Sequence, residues 1–320
     1  MSFSEFDLIE KFFSGHANRD DVVLGIGDDA AVLNVPAGQQ LVVTMDTLIE
    51  GVHFPAETSA EDIGYKSLAV SLSDLAAMGA EPAWATLSLA IPAYDKTWLK
   101  DFSHGFLTLA QKYNVALVGG DTVRGPLSIT VQLHGFVPAH KVLRRDRACN
   151  NDLIYVTGTL GDAGLALAGL QNNLNLEPMA LKRLRKRLDS PTPRVEAGLA
   201  LRGLASACID ISDGLLSDLA HITNKSSVGA EIMLQHLPLS TDTEQYIAQS
   251  NDWNMVLSSG DDYELCFTVS ADNKTRVESL LTASGCTCIG KITLQAGIRC
   301  LYSDGSLYES DKTGFDHFAV

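Results

Sequence analysis

The chain is 320 residues long, enough for two ordinary domains, and is 46% hydrophobic and 20% charged, which excludes a disordered or fibrous protein. Its 24 Lys and Arg against 39 Asp and Glu leave a formal net charge of -15, which excludes a protein that grips nucleic-acid backbone and means that any phosphorylated ligand needs Mg²⁺ or a focused basic patch. No apolar run approaches the length of a membrane span, so none is expected.

The opening MSFSEFDLIEKFF is amphipathic and acidic, without the basic start and apolar middle of a signal peptide. Cys149, Cys208, Cys266, Cys286, Cys288 and Cys300 are scattered with no CxxC pair. Even the C-x-C of Cys286 and Cys288 reads as buried reduced thiols before it reads as a metal pair. A cytoplasmic protein is expected.

In chain order, VVLGIGDDAAVL (22–33) begins as a strand and is then punctuated by Gly25 and Gly27. QQLVVTMDTL (39–48) predicts a buried strand ending on Asp46. Residues 61–80 predict a helix, with Glu61 and Asp62 in its first turn and Gly79 at its end. A strand over 84–92 and an amphipathic helix over 97–113 follow. NVALVGGDTVRG (114–125) predicts a strand running into a glycine turn that carries Asp121, and 127–138 alternates as another strand.

The polar, basic stretch 138–152 marks a boundary between domains 1–140 and 141–320. Beyond it, 153–170 and 207–222 each predict strand, turn and helix, and 181–201 predicts a basic helix, a proline-containing link and another helix. Residues 256–269 predict a loop and strand, and 287–293 a late strand. The class is α/β (α+β) with two domains.

The acidic residues fall at particular places. GIGDD holds Asp28 and Asp29, TMDT Asp46, GGDT Asp121, DISDG Asp210 and Asp213, and SGDD Asp261 and Asp262. Asp74 sits in the apolar helix SLSDLAA. Turn chemistry alone accounts for a single acidic turn, but not for Asp74, for Asp210 and Asp213 bracketing a turn at a three-residue spacing, or for the whole set. Strand ends and their loops are where α/β proteins place ligands, and hard oxygen ligands on several loops suit Mg²⁺ shared with phosphate oxygens. Gly25, Gly27 and Ala30 match a dinucleotide fingerprint, but it lacks its third glycine and carries two aspartates where the pyrophosphate would lie. No P-loop, protein-kinase set or recognisable nucleophile arrangement occurs. KVLRRDR (141–147) reads equally as a phosphate clamp or a solvated linker, and LKRLRKRL (around 182–187) as a plain basic helix face.

GIGDDAAV, TMDTLIEGVHF, YKSLAVSLSDLAAMGAEPAW, GGDTVRGPLSITVQLHGFVP, YVTGTLGDAG, IDISDGLLSDL, SGDDYELCF and the terminal GFDHF stand in the order and spacing of the thiamine-monophosphate kinase family. The resemblance runs from about residue 5 to 318. It implies the two-domain fold of the aminoimidazole-ribonucleotide synthetase superfamily. The N-terminal domain would bind ATP and Mg²⁺ and pair with a second copy around a barrel-like core, and the C-terminal domain would be a second α/β unit. It also implies transfer of the γ-phosphate of ATP to thiamine monophosphate, with several Mg²⁺ ions.

Carried over by motif, Asp28, Asp29, Thr44, Asp46, Asp74, Asp121, Asp210 and Asp213 resemble the metal set. Gly120, Asp121, Arg145 and Ser212 resemble ATP contacts, and His53, Asp261 and Phe315 contacts to thiamine phosphate. Asp46, Asp213 and Arg145 are the expected catalytic group. Two departures stand out. Asp261 is one methylene shorter than the glutamate the family commonly carries, and Phe315 can stack on a ring but not donate a hydrogen bond. The acceptor is already an ionised phosphate, so direct in-line transfer without a general base is expected. The rivals are a superfamily sibling that uses ATP to activate another small substrate, and a non-catalytic nucleotide or metal sensor.

Overall fold

Residues 5–13, 19–310 and 314–315 are described in a computed structural model. The chain divides into two units, Met1–Leu75 with Ala80–His140 and Ala76–Gly79 with Lys141–Val320.

In the first unit, helix α1 (Glu5–Phe12) precedes a small antiparallel hairpin of β1 (Val22–Leu24) and β2 (Val32–Leu33). Then come β3 (Gln39–Ile49), α2 (Ala60–Ala77), β4 (Glu81–Ile91), α3 (Lys96–Lys112), β5 (Ala116–Arg124) and β6 (Ser128–Pro138). Helix α2 starts where the Ser59 hydroxyl accepts the Asp62 N–H at 3.1 Å. Helix α3 starts where Asp95 accepts the N–H groups of Thr97 and Trp98. The strands form one sheet in the order β3-β6-β4-β5, antiparallel except for the parallel pair β4–β5. On β6, buried Ile129, Val131 and Leu133 alternate with half-buried Thr130, Gln132 and His134, the period of a strand with one fully covered face.

Two strand expectations change. β3 runs on to Ile49, and it is not a buried strand: it is an edge strand whose Leu41, Val43, Met45 and Ile49 are exposed, Met45 by 65%. GGDT is not a turn, because Gly119, Gly120 and Asp121 lie inside β5, paired with Thr86, Leu87 and Ser88 of β4. The expected barrel-like core takes the form here of an open four-stranded sheet.

The second unit contains β7 (Leu153–Thr157), α4 (Asp162–Leu170), α5 (Pro178–Asp189), α6 (Val195–Leu201), β8 (Ala205–Asp210), α7 (Leu215–Ser226), β9 (Gly229–Met233) and α8 (Thr241–Ser250). It continues with α9 (Asn254–Leu257), β10 (Leu265–Val269), α10 (Lys274–Leu280), β11 (Cys286–Thr293), β12 (Gly297–Leu301) and β13 (Leu307–Tyr308). Its sheet has the order β13-β12-β9-β11-β7-β10-β8, with β12–β9 the parallel pair. Ile154, Val156, Ile209, Ile232 and Ile289 pack with Leu215, Leu219 and Ile222 of α7.

The basic helix is not a plain charged face. On α5, Arg183 pairs with Asp242 at 2.7 Å, Arg185 with Asp189 at 2.6 Å and Arg187 with Glu264 at 2.6 Å. All six cysteines are free; Cys208, Cys266 and Cys300 are buried and Cys149 is exposed, while Cys286 and Cys288, expected to be buried, are half-buried.

Candidate functional site

The acidic glycine loop of the first unit is held at its root. Asp21 accepts the Trp84 indole N–H at 2.9 Å and two bonds from Arg19, at 2.9 and 2.6 Å. Those bonds, the Arg19 ones foremost, hold the Asp21 carboxyl below the usual carboxylate range. The loop places Asp28 and Asp29 across a cleft of about 580 Å³ from Gly120 and Asp121 of β5. Gly120 is required there. Its φ is +153° and a Cβ would run into the Leu87 carbonyl oxygen. Two distant motifs, GIGDD and GGDT, therefore line one cavity.

A second acidic group lies on the helix side of the same sheet. Thr44 and Asp46 pair with Leu133 and Val131 and share their face. The Thr44 hydroxyl bonds Asp74, and the Ser71 hydroxyl donates to Asp46 at 2.7 Å. Asp74 is thus not a stray helix aspartate, since Ser71 and Asp74 are one turn apart on the α2 face turned toward β3. Burial, and next the Asp74 charge, push Asp46 up to about 6, against the Ser71 bond. The EGVHF loop follows β3. His53 Nδ1 accepts the Ile49 N–H at 3.0 Å, which places the ring proton of the neutral imidazole on Nε2. The buried Lys66 ammonium donates to the His53 carbonyl at 3.0 Å.

In the second unit, β8 ends on the buried Asp210 and the chain turns through Ser212 and Asp213 into α7. Gly214 makes that turn with φ +115°, and a Cβ there would lie 2.8 Å from the Ser258 carbonyl carbon. The SGDD loop meets the turn where the Asp261 N–H donates to the Ser212 carbonyl at 2.8 Å. The Phe315 N–H donates to the Asp213 carbonyl at 3.0 Å. DISDG, SGDD and the terminal GF thus converge on two residues. Asp218 of α7 accepts the N–H groups of Ser212 and Asp213 at 3.0 and 3.1 Å. Burial, and then the Asp213 charge, push its carboxyl up to about 7, opposed by those two N–H bonds and by Arg145.

Beside it, Asp262 accepts the Gly161 N–H at 3.0 Å, and the fully buried Glu264 binds Arg187, Arg194 and Thr157. In KVLRRDR, Arg144 pairs with Asp146 while Arg145 is exposed and its charge reaches Asp218.

The sequence matches the family AIR synthase related protein, N-terminal domain, over residues 27–137, and its C-terminal domain over 150–302. A thiamine-monophosphate kinase of Escherichia coli (strain K12) is 46% identical over 324 residues, covering 100% of both chains. The chain belongs to the thiamine-monophosphate kinase family. The solved thiamine-monophosphate kinase of Stenotrophomonas maltophilia K279a is 47% identical, with a TM-score of 0.87 over 96% of this chain and 99% of that one. A structure of AaThiL complexed with AMPPCP and TMP is 31% identical, with a TM-score of 0.78 over 98% of this chain and 96% of that one.

Of the residues that resemble the thiamine-monophosphate kinase site, the first unit gathers Asp28, Asp29, Gly120 and Asp121 at one cleft and Thr44, Asp46 and Asp74 at one cluster. The second gathers Ser212, Asp213, Asp261 and Phe315 at one turn, with Asp210 at the strand end before it. Among the described residues, no three His, Cys, Asp or Glu side chains converge closely enough to hold a metal ion by themselves. Residues 316–318 of GFDHF lie outside the described residues.

Sequence reasoning missed Asp21, Lys66, Ser71, Asp218 and Glu264. Ser71 had a signal, its i,i+3 spacing to Asp74. Asp218 looks like an ordinary acidic residue in the first turn of a helix. Asp21 had a signal in Arg19 two residues before it, although its Trp84 partner is distant. The partners of Lys66 and Glu264 lie 13 or more residues away, and nothing local marks them.

Proposed function

We propose that this protein transfers the γ-phosphoryl group of ATP to thiamine monophosphate, releasing thiamine diphosphate and ADP. The observation that carries the reading is similarity to thiamine-monophosphate kinases along the whole chain, 46% identity to that of Escherichia coli (strain K12). A 31% identical relative has been solved with AMPPCP, a methylene analogue of ATP, and TMP.

The donor set suits Mg²⁺. It consists of carboxylate and hydroxyl oxygens, and burial with the facing Asp74 charge raises Asp46 to about 6, a strain that a hard divalent cation relieves. Mg²⁺ takes few protein carboxylates and completes its shell with phosphate and water, so small groups of aspartates suffice. Asp28, Asp29, Thr44, Asp46, Asp74 and Asp121 would hold ions in the first unit, and Asp210 and Asp213 in the second. Bound there, Mg²⁺ neutralises phosphate charge.

The rest falls to the chain. Gly120, Asp121, Arg145 and Ser212 take ATP, with Arg145 answering phosphate charge. His53 offers its Nε2 proton to the phosphate of thiamine monophosphate, and Asp261 and Phe315 take its rings. The attacking oxygen is ionised at neutral pH, so positioning and charge neutralisation replace a general base, and transfer is direct. The first unit is then the ATP–Mg²⁺ and dimerisation domain, with the apolar face of β3 as its pairing surface. No helix among the described residues is long and apolar enough to cross a membrane, and six free cysteines suit the cytoplasm.

A coupled ADP-release assay with Mg²⁺, with and without thiamine monophosphate, tests this when the product is identified by chromatography. Thiamine diphosphate is expected to form in step with ADP, and Asp46→Asn to lower kcat by ~10²-fold or more. ADP without thiamine diphosphate would point to a sibling substrate, nucleotide binding without turnover to a sensor, and a phosphorylated enzyme would overturn direct transfer.

A further inference from the structure

We infer that Asp218 is a positioning residue that fixes the Ser212–Asp213 turn in the conformation in which it receives Mg²⁺–ATP. The inference rests on reading that turn as part of the nucleotide site.

An aspartate stabilises a helix start from the N-cap, by accepting N–H groups that follow it, or from the first turn, by facing the helix dipole and reaching back to the N-cap N–H. Asp218 stands in the first turn but reaches past the N-cap. The N-cap of α7 is Gly214, and Asp218, four residues further on, reaches back to the N–H groups of Ser212 and Asp213, which precede the helix. Its residue is only 3% exposed, an expensive place for a carboxylate, and its neighbours include the like charge of Asp213.

The rest of the turn shows what the position achieves. The carbonyl of Ser212 is taken by the Asp261 N–H and that of Asp213 by the Phe315 N–H. Asp218 takes the two N–H groups. With both backbone groups of both residues engaged, the backbone of the turn is fixed, and with it the Cα positions from which the Ser212 hydroxyl and the Asp213 carboxylate are carried. Without Asp218 the two N–H groups lose their acceptor and the turn loses its grip on one side.

Three variants test this. Asp218→Asn retains a carbonyl acceptor of the same reach, Asp218→Leu removes it, and Asp218→Glu retains the charge but pushes it one methylene into the turn. Steady-state kinetics are expected to show the KM for Mg²⁺–ATP raised ~10–100-fold in Leu and Glu, the range for loss of a group that orients a ligand residue, with Asn within ~3-fold of the parent. A parent-like KM in the Glu variant overturns the inference, as does an Asn variant as impaired as Leu while melting normally. Should Leu fail to fold, Glu and Asn decide. Asp213→Asn run alongside separates the two levels: if it leaves Mg²⁺–ATP kinetics unchanged, the reading of the turn falls and the inference with it. If it is defective while the Asp218 series is parent-like, only the positioning role falls.

Discussion

At the scale of single residues, carboxylates in the interior differ in the charge they face. Glu264 is fully buried, and its carboxylate meets Arg187 at 2.6 Å, Arg194 at 2.5 Å and the Thr157 hydroxyl at 2.6 Å. That is a closed account structurally, and removing one partner strands the others. Glu264→Ala is expected to destabilise the second unit by ~3–5 kcal/mol, because two largely buried guanidinium groups lose their counter-charge. Urea unfolding measures it, and a loss below about 1 kcal/mol would show that water replaces the carboxylate without penalty.

Asp46 and Asp74 are a different case. The Ser71 hydroxyl donates to Asp46 and the Thr44 hydroxyl to Asp74, and the two charges work against each other. Such a pair gains from a cation, and anything that binds only the folded state raises its melting temperature. Mg²⁺ is expected to raise the melting temperature of the parent and to raise that of Asp74→Asn less. Identical shifts in both proteins would remove Asp74 from the metal set.

At the scale of elements, alternation along a strand decides which groups meet solvent and which titrate under cover. His134 lies on β6, its Nδ1 3.4 Å from the Trp84 carbonyl and its ring beside the Trp84 indole. Burial lowers its pKa from the ordinary 6.5, partly opposed by that carbonyl. Protonation therefore favours the unfolded chain: the contribution is complete above pH 6.5 and is lost as pH falls through the lowered folded value. His134→Gln is expected to flatten the decline in melting temperature below that pH relative to the parent, and parallel curves would show that the ring titrates as in water.

The same periodicities made the long elements legible beforehand. Helices α2 and α3 and strands β4 and β6 carry runs of regular spacing, and they stand where the pattern placed them. What escaped was set by partners far along the chain. β12 and β13 are short and owe their existence to pairing with β9 and with each other. GGDT looks like a turn because glycines usually turn, yet β4 supplies a full ladder beside it. The arginines of α5 look solvated because Asp242 and Glu264, 59 and 77 residues away, are invisible to a local pattern. The site was legible as a set of aspartates but not as groups. Spacing does not reveal that Asp46 faces Asp74, or that Phe315 closes on Asp213.

At the scale of the whole molecule, the exposed edge of the first unit has to be accounted for. β3 is eleven residues long, and Leu41, Val43, Met45 and Ile49 project from one of its faces, each at least 43% exposed. Soluble chains blunt such edges with charge, proline or a bulge, and β3 has none of these on that face. The net charge of -15 opposes indiscriminate association, so a contact between copies has to come from a specific apolar surface of this kind. The other face of β3 carries Thr44 and Asp46, so whatever fixes the strand also fixes two of the proposed metal ligands. Met45→Glu is therefore expected to do two things at once. It should convert a dimeric parent into a monomer in sedimentation velocity, and it should weaken the response to Mg²⁺ although it touches no proposed ligand. A monomeric parent would refute the pairing surface outright. A monomeric variant with the parent's Mg²⁺ dependence would leave the dimer standing but uncouple it from the site, because β3 would then be held by β6 alone.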